Sequence, residues 1–95
     1  MSGQGAAEVD FGAFPGANEA SVAVIGQAEI LDTSGAEAYI MGDDTTADHT
    51  AGDHRYASAL IGLTCGTPVP GAGFTIYARS TEKLTGSFMV RWVWA

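Results

Sequence analysis

The chain has 95 residues, and its 11 acidic and 4 basic side chains give a formal net charge of −7 at pH 7. This length is that of a single domain, and the 46% hydrophobic content is typical of a globular chain. The acidic balance argues against partners that are held through clustered Lys and Arg, so we expect neither a nucleic-acid partner nor docking on an anionic membrane.

The first ten residues carry no secretory pattern. Glu8 and Asp10 are present, and no Lys or Arg precedes an apolar core. No apolar run approaches the roughly 20 residues that span a bilayer. We therefore expect synthesis in the cytoplasm and no membrane partner.

Residues 1–20 are predicted to form an N-terminal arm. They are rich in Gly and Ala and show neither helical nor strand periodicity. Phe11 and Phe14 stand just before a Pro15-Gly16 turn signal. Together with Pro15, they are candidate partner-binding residues that dock the arm on its own domain or on a neighbour. A frayed terminus is the alternative.

Residues 21–95 are predicted to form a single β domain. Apolar and polar side chains alternate over residues 21–30, 36–41, 56–64, 74–79 and 84–94, which is the pattern of half-buried strands. Turn residues at 32–35 predict a hairpin between the first two strands. No window carries a helical apolar stripe, so the predicted helix content is near nil. The predicted fold class is all-β, a compact antiparallel β-sandwich or small barrel with an extended N-terminal arm.

The last predicted strand has the clearest pattern. Its five alternating large apolar residues share one face: Leu84, Phe88, Val90, Trp92 and Trp94. Three tyrosines, Tyr39, Tyr56 and Tyr77, lie off the core faces, where they either cover a second face or form a ligand platform. Arg91 is expected to pair with Glu29 or Glu37, or with an acidic patch on another subunit.

A polar loop at residues 42–54 is the main candidate for chemistry. It holds both histidines and four of the eleven acids, and loops of about a dozen residues are often functional. The ligand types of Asp48, His49, Asp53 and His54 suit a divalent metal, although the spacing is not that of an EF-hand. Alternatively, the Asp and Thr side chains bond nearby backbone amides in a short capped helical turn. We expect this structural role, and no cofactor.

Nothing in the sequence marks an enzyme. No nucleophile signature such as G-x-S-x-G is present. A metal-dependent hydrolase around His49 and His54 is the least favoured hypothesis for the function of this chain. Cys65 is the only cysteine, which excludes an internal disulfide. It is expected to be a buried structural thiol.

Several segments carry a resemblance to a known group of proteins. They are Asp10-Phe11-Gly12, Pro15-Gly16-Ala17-Asn18, Val24-Ile25-Gly26-Gln27, Glu37-Ala38, Thr46-Ala47-Asp48-His49-Thr50 with His54, Gly73-Phe74-Thr75-Ile76, Leu84-Thr85-Gly86 and Val90-Arg91-Trp92-Val93-Trp94-Ala95. Over residues 10–95 the chain resembles small uncharacterised virion structural proteins of tailed bacteriophages, either decoration (cement) or tail-associated proteins.

The resemblance implies a non-enzymatic structural protein located in the virion. The expected role is capsid decoration that stabilises the shell through oligomeric contacts, with the major capsid protein or another virion protein as partner and with self-association. The alternative is a receptor- or carbohydrate-binding module associated with a tail or head fibre. In that module Tyr and Trp side chains would stack on sugars, and the Asp/His loop would hold Ca²⁺.

Overall fold

A computed structural model describes residues 2–43, 46 and 49–95. Within these residues it contains one helix and six strands: β1 (Gly3–Asp10), β2 (Ala17–Val24), β3 (Ala36–Tyr39), α1 (Ala51–Ser58), β4 (Ile61–Cys65), β5 (Phe74–Leu84) and β6 (Ser87–Trp94). The strands form two antiparallel three-stranded sheets, with the orders β1-β6-β3 and β2-β5-β4. The predicted all-β class is confirmed.

The core lies between the two sheets, and the two central strands contribute most to it. In β6 the side chains of Phe88, Val90, Trp92 and Trp94 are buried in strict alternation, as predicted. The facing positions of β5 are also buried, and Ile76 is fully enclosed. Burying a side chain of this size stabilises the fold by roughly 1.5–3 kcal/mol.

The predicted N-terminal arm is wrong as a description of residues 1–20. Strand β1 pairs with β6 along its whole length, and β2 crosses the expected boundary between residues 20 and 21. Gly3 and Gly5 lie opposite Trp94 and Trp92. A Cβ at Gly5 would come within 2.5 Å of the Trp92 ring. The tryptophan rings therefore lie against the glycines, and β6 contributes the large apolar side chains that the Gly and Ala residues of β1 lack.

The predicted hairpin is also wrong. Strand β2 ends at Val24 and pairs with β5, whereas β3 pairs with β6 in the other sheet. Gly26 has a φ of +77°, a left-handed conformation that favours glycine, and it lies just after the strand. Ile30 lies in the connecting loop and is fully buried, whereas the alternation over residues 21–30 predicts it in a strand.

Two further element boundaries differ from prediction. Strand β5 continues to Leu84, through the interval between the strands predicted at 74–79 and 84–94. The strand predicted at 56–64 begins only at Ile61, because residues 51–58 form helix α1. Alanine is a strong helix former and a weak strand former. The alternation of Ala57 and Ala59 was therefore a poor strand signal beside a helix cap.

Candidate functional site

The first turn of α1 is held by a reciprocal pair of hydrogen bonds. The Asp53 N–H donates to Thr50 Oγ1 at 3.2 Å, and the Thr50 N–H donates to Asp53 Oδ2 at 3.1 Å. This is a capping box in which Thr50 is the N-cap residue and Asp53 is the N3 residue. The bond from the Thr50 backbone, with a second from His49, lowers the pKa of Asp53. The capped helical turn weighed from the sequence is therefore the structure that forms here.

His54 connects this helix to strand β6. Its side chain is fully buried. Its Nδ1 lies 2.8 Å from the Thr50 carbonyl oxygen, and its Nε2 lies 2.9 Å from the Met89 nitrogen. A carbonyl can only accept and a backbone N–H can only donate. The neutral Nδ1–H tautomer satisfies both bonds, which leaves neither ring nitrogen of His54 open to a metal ion.

His49 fastens the same helix to the turn between β5 and β6. Its Nε2 lies 2.7 Å from the Thr85 carbonyl oxygen, and its Nδ1 lies 3.3 Å from Asp53 Oδ2. Both neighbours are acceptors, so a neutral ring donates to one of them and only the doubly protonated ring donates to both. The imidazole also stacks on Phe88, with ring centroids 3.9 Å apart and planes 12° apart.

Phe88 is the centre of an aromatic cluster made with Phe11, His49 and His54. His54 and Phe11 approach Phe88 edge-on, with centroid distances of 5.3 and 6.0 Å. Edge-to-face contacts of this kind each add about 0.5–1.5 kcal/mol beyond their buried area. The cluster fastens α1 and the segment after β1 to the core, which is a structural role.

The candidate metal residues are only partly brought together. His49 and Asp53 are in contact, whereas the His54 ring lies 6.4 Å from that of His49 and is bonded to backbone on both sides. Asp48 lies outside the described residues. Among those that are described, no group of three or more His, Cys, Asp or Glu side chains is arranged to hold a metal ion.

The candidate partner-binding residues Phe11, Phe14 and Pro15 differ in their exposure to solvent. Phe11 is 3% exposed, and its N–H donates to the Gly86 carbonyl at 3.0 Å. Phe11 therefore packs on its own domain, the first of the two docking alternatives predicted for it. Phe14 is 90% exposed, and Pro15 follows it on the surface in the turn between β1 and β2. Only these two residues remain accessible.

The structure also places two other side chains that were singled out from the sequence, Arg91 and Cys65. Arg91 Nη2 lies 3.7 Å from Asp43 Oδ2, so the ion pair seen here is with Asp43 and not with the predicted Glu29 or Glu37. Cys65 is half-buried. Burial and the nearby Glu37 carboxylate raise the pKa of its thiol, which disfavours a reactive thiolate.

Sequence patterns did not reveal an apolar surface formed by two loops. We call it the loop tip and define it by Ile25, Leu31 and Val69, which are 78%, 59% and 59% exposed. The loops are joined where the Gln27 N–H donates to Ala72 O at 2.9 Å and the Gly71 N–H donates to Ile30 O at 3.0 Å. The Pro- and Gly-rich composition of residues 67–73 signalled a loop there, but not that it meets residues 25–35.

A second surface feature lies on the outer face of sheet β2-β5-β4. It is an open groove of about 970 Å³ that follows the central strand β5. Tyr77, one of the three tyrosines noted in the sequence, projects into it and is 51% exposed. Tyr39 and Tyr56 are also exposed, but they do not line this groove.

Comparisons with protein-family models, with curated proteins and with solved structures found no match to this chain. Within the described residues, the helix is too short to cross a membrane.

Proposed function

We propose that this chain is a non-enzymatic structural protein of a tailed-bacteriophage virion, a decoration (cement) protein that stabilises the shell through oligomeric contacts. The loop tip is the observation that carries this proposal. Its partners would be the major capsid protein or another virion protein, together with further copies of this chain.

The loop tip has the properties of a protein-binding surface. Three large aliphatic side chains are exposed on two loops that are bonded to each other, whereas isolated exposed apolar residues are ordinary. Ile30 directly precedes Leu31 in the first loop and is fully buried, so it anchors that loop to the core. With two backbone bonds between the loops, little ordering entropy would be lost on docking.

Charge limits the kind of surface that suits this tip. Glu29 and Asp32 are exposed on the same loop as Ile25 and Leu31, and residues 25–35 and 66–73 contain no Lys or Arg. A partner surface with an apolar centre and a basic rim would complement it. The net charge of −7 would also keep the chain away from packaged DNA.

The location can be tested by immunogold labelling of particles made by cells that encode this chain. The proposal expects label on intact heads. Label confined to tails would move the role to a tail component, and unlabelled particles in a lysate that contains the free protein would overturn the virion assignment. The triple variant Ile25→Ser/Leu31→Ser/Val69→Ser is expected to fold and to be lost from purified particles.

The matched control removes exposed apolar side chains away from the tip. The variant Tyr39→Ser/Met41→Ser changes residues that are 44% and 50% exposed, and it is expected to remain on particles. Native mass spectrometry of the purified chain tests self-association. Equal loss of the tip variant and the control from particles would contradict a role for the tip.

A second candidate function is saccharide recognition, the module expected as the alternative from the sequence. The groove on sheet β2-β5-β4 is the specific observation that favours it. His54 does not add to this candidate, because both of its ring nitrogens are bonded to backbone.

A further inference from the structure

The groove on sheet β2-β5-β4 is built from two neighbouring rows of side chains that cross its three strands. In the first row Tyr77 lies between Ser21 and Thr64. In the second, Arg79 lies between Glu19 and Gly62. The first row therefore presents three hydroxyl groups around one aromatic ring. The second presents a carboxylate, a guanidinium and a gap where a side chain is absent.

Gly62 is the feature that the fold itself does not explain. The other two strand glycines, Gly3 and Gly5, make room for the rings of Trp94 and Trp92. At Gly62 an added Cβ would meet only the Arg79 carbonyl oxygen, at the ordinary distance of 3.9 Å, and φ is not positive there. Glycine weakens a strand, and within strands it often marks a place where a ligand or another backbone approaches closely.

Arg79 and Glu19 are already oriented toward one another. Arg79 Nε and Nη2 both donate to Glu19 Oε1, at 3.0 and 2.6 Å. The two side chains nevertheless remain 80% and 65% exposed. The second carboxylate oxygen and the other guanidinium nitrogen are therefore accessible to water, and a ligand hydroxyl can replace that water.

The lining defines the chemistry of the occupant. The charges of Glu19 and Arg79 cancel, so the groove is locally neutral on a chain of net charge −7. Its other polar groups are hydroxyls, and the ring of Tyr77 offers a flat apolar face. A sugar ring matches this set, since its C–H face can lie on an aromatic ring while its hydroxyls bond to paired donors and acceptors.

An extended peptide is the less suitable occupant. The groove follows β5, whose two edges are already paired with β2 and β4. An added peptide strand binds mainly through the unpaired backbone groups of a sheet edge, and the central strand offers none. Anionic ligands are disfavoured by the net charge of the chain.

We propose that the groove around Tyr77, Arg79, Glu19 and Gly62 binds a neutral oligosaccharide. This inference rests on the second candidate function, saccharide recognition, and not on the decoration role. The hexose ring stacks on Tyr77, its neighbouring hydroxyls bond to Glu19 and Arg79, and the gap at Gly62 admits the adjoining sugar.

The test is a titration of the ¹⁵N-labelled protein followed by amide chemical shifts. The probes are neutral hexasaccharides (β-1,4-glucose, α-1,4-glucose, α-1,6-mannose and β-1,4-N-acetylglucosamine), a sulfated hexasaccharide and a threonine-rich peptide. We expect at least one neutral probe to give saturable shifts centred on Ser21, Thr64 and Tyr77. Tyr77→Ala and Gly62→Thr are each expected to weaken that binding by about tenfold or more. The control, Tyr39→Ala, is expected to leave it unchanged.

Three outcomes would overturn the proposal. They are shifts with none of the neutral probes, shifts with only the peptide or the sulfated probe, and equal binding by the wild type and the Gly62→Thr variant. The groove variants leave the loop tip intact, so they are still expected on purified particles. Loss of saccharide binding with retained particle association separates this inference from the decoration role.

Discussion

Replacing His54 tests whether the α1–β6 connection depends on hydrogen bonding or only on packing. His54→Leu keeps much of the buried volume but removes the acceptor that faces the Met89 N–H. A buried donor left without a partner costs about 1–3 kcal/mol. The Thr50 carbonyl loses less, because it also accepts the backbone N–H of residue 54 at 3.0 Å. We therefore expect His54→Leu to lower the free energy of unfolding by about 1–3 kcal/mol.

Two companion variants separate the contributions. His54→Gln places an amide oxygen near the former Nε2 position and is expected to lose less than His54→Leu. His54→Ala adds a cavity beside Phe88 and is expected to lose about 3–5 kcal/mol. In a domain of this size each kcal/mol corresponds to roughly 4–8 °C in Tm.

Urea unfolding followed by tryptophan fluorescence gives the free energies, and imidazole ¹⁵N shifts report the tautomer. The hydrogen-bond argument predicts the stability order wild type, Gln, Leu, Ala, together with a neutral Nδ1–H imidazole in the wild type. A Leu variant as stable as the wild type, with the Gln variant weaker than both, would refute it.

Three further predictions follow from the same structure. Gly5→Val is expected to cost about 1–3 kcal/mol in urea unfolding, because its side chain would collide with the Trp92 ring; an unchanged midpoint would show that the ring is free to move. The bond from the Thr50 N–H lowers the pKa of Asp53, so the stability it adds is present above the ordinary carboxyl range and is lost as pH falls through the lowered pKa. An Asp53→Asn variant should therefore lose less stability on acidification than the wild type, and parallel acid-unfolding curves would contradict this. Gly62→Thr is expected to raise the free energy of unfolding by about 0.5–1 kcal/mol, and a destabilised variant would mean that this glycine serves the fold.

Local patterns were sufficient for several parts of this protein. The alternation from Phe88 to Trp94 correctly predicted a half-buried strand, because the residues that form its buried face all lie within that segment. The polar residues around Thr50 and Asp53 were correctly weighed as a capped turn, since a capping box needs only residues that are close in sequence.

Patterns failed where burial is supplied by distant residues. Strand β1 carries little apolar surface of its own and is ordered by Trp92 and Trp94, which lie almost the whole chain away. Phe11 and Phe14 look equivalent in sequence, yet one packs on Phe88 while the other is 90% exposed. No local rule distinguishes them, because the direction of each side chain is set by where β1 ends and the next turn begins.

The loop tip and the groove on sheet β2-β5-β4 also depend partly on local sequence and partly on tertiary structure. By itself the sequence determined the all-β class, the buried face of β6, the acidic charge and the residue types available to the polar loop. Only the tertiary structure decided that residues 25–35 meet residues 66–73, and that Glu19, Gly62 and Arg79 share one row of a sheet. Both depend on strand pairing between segments that are far apart in the chain. Such pairing is set by the packing of the whole core, so periodicity within one segment does not reveal it.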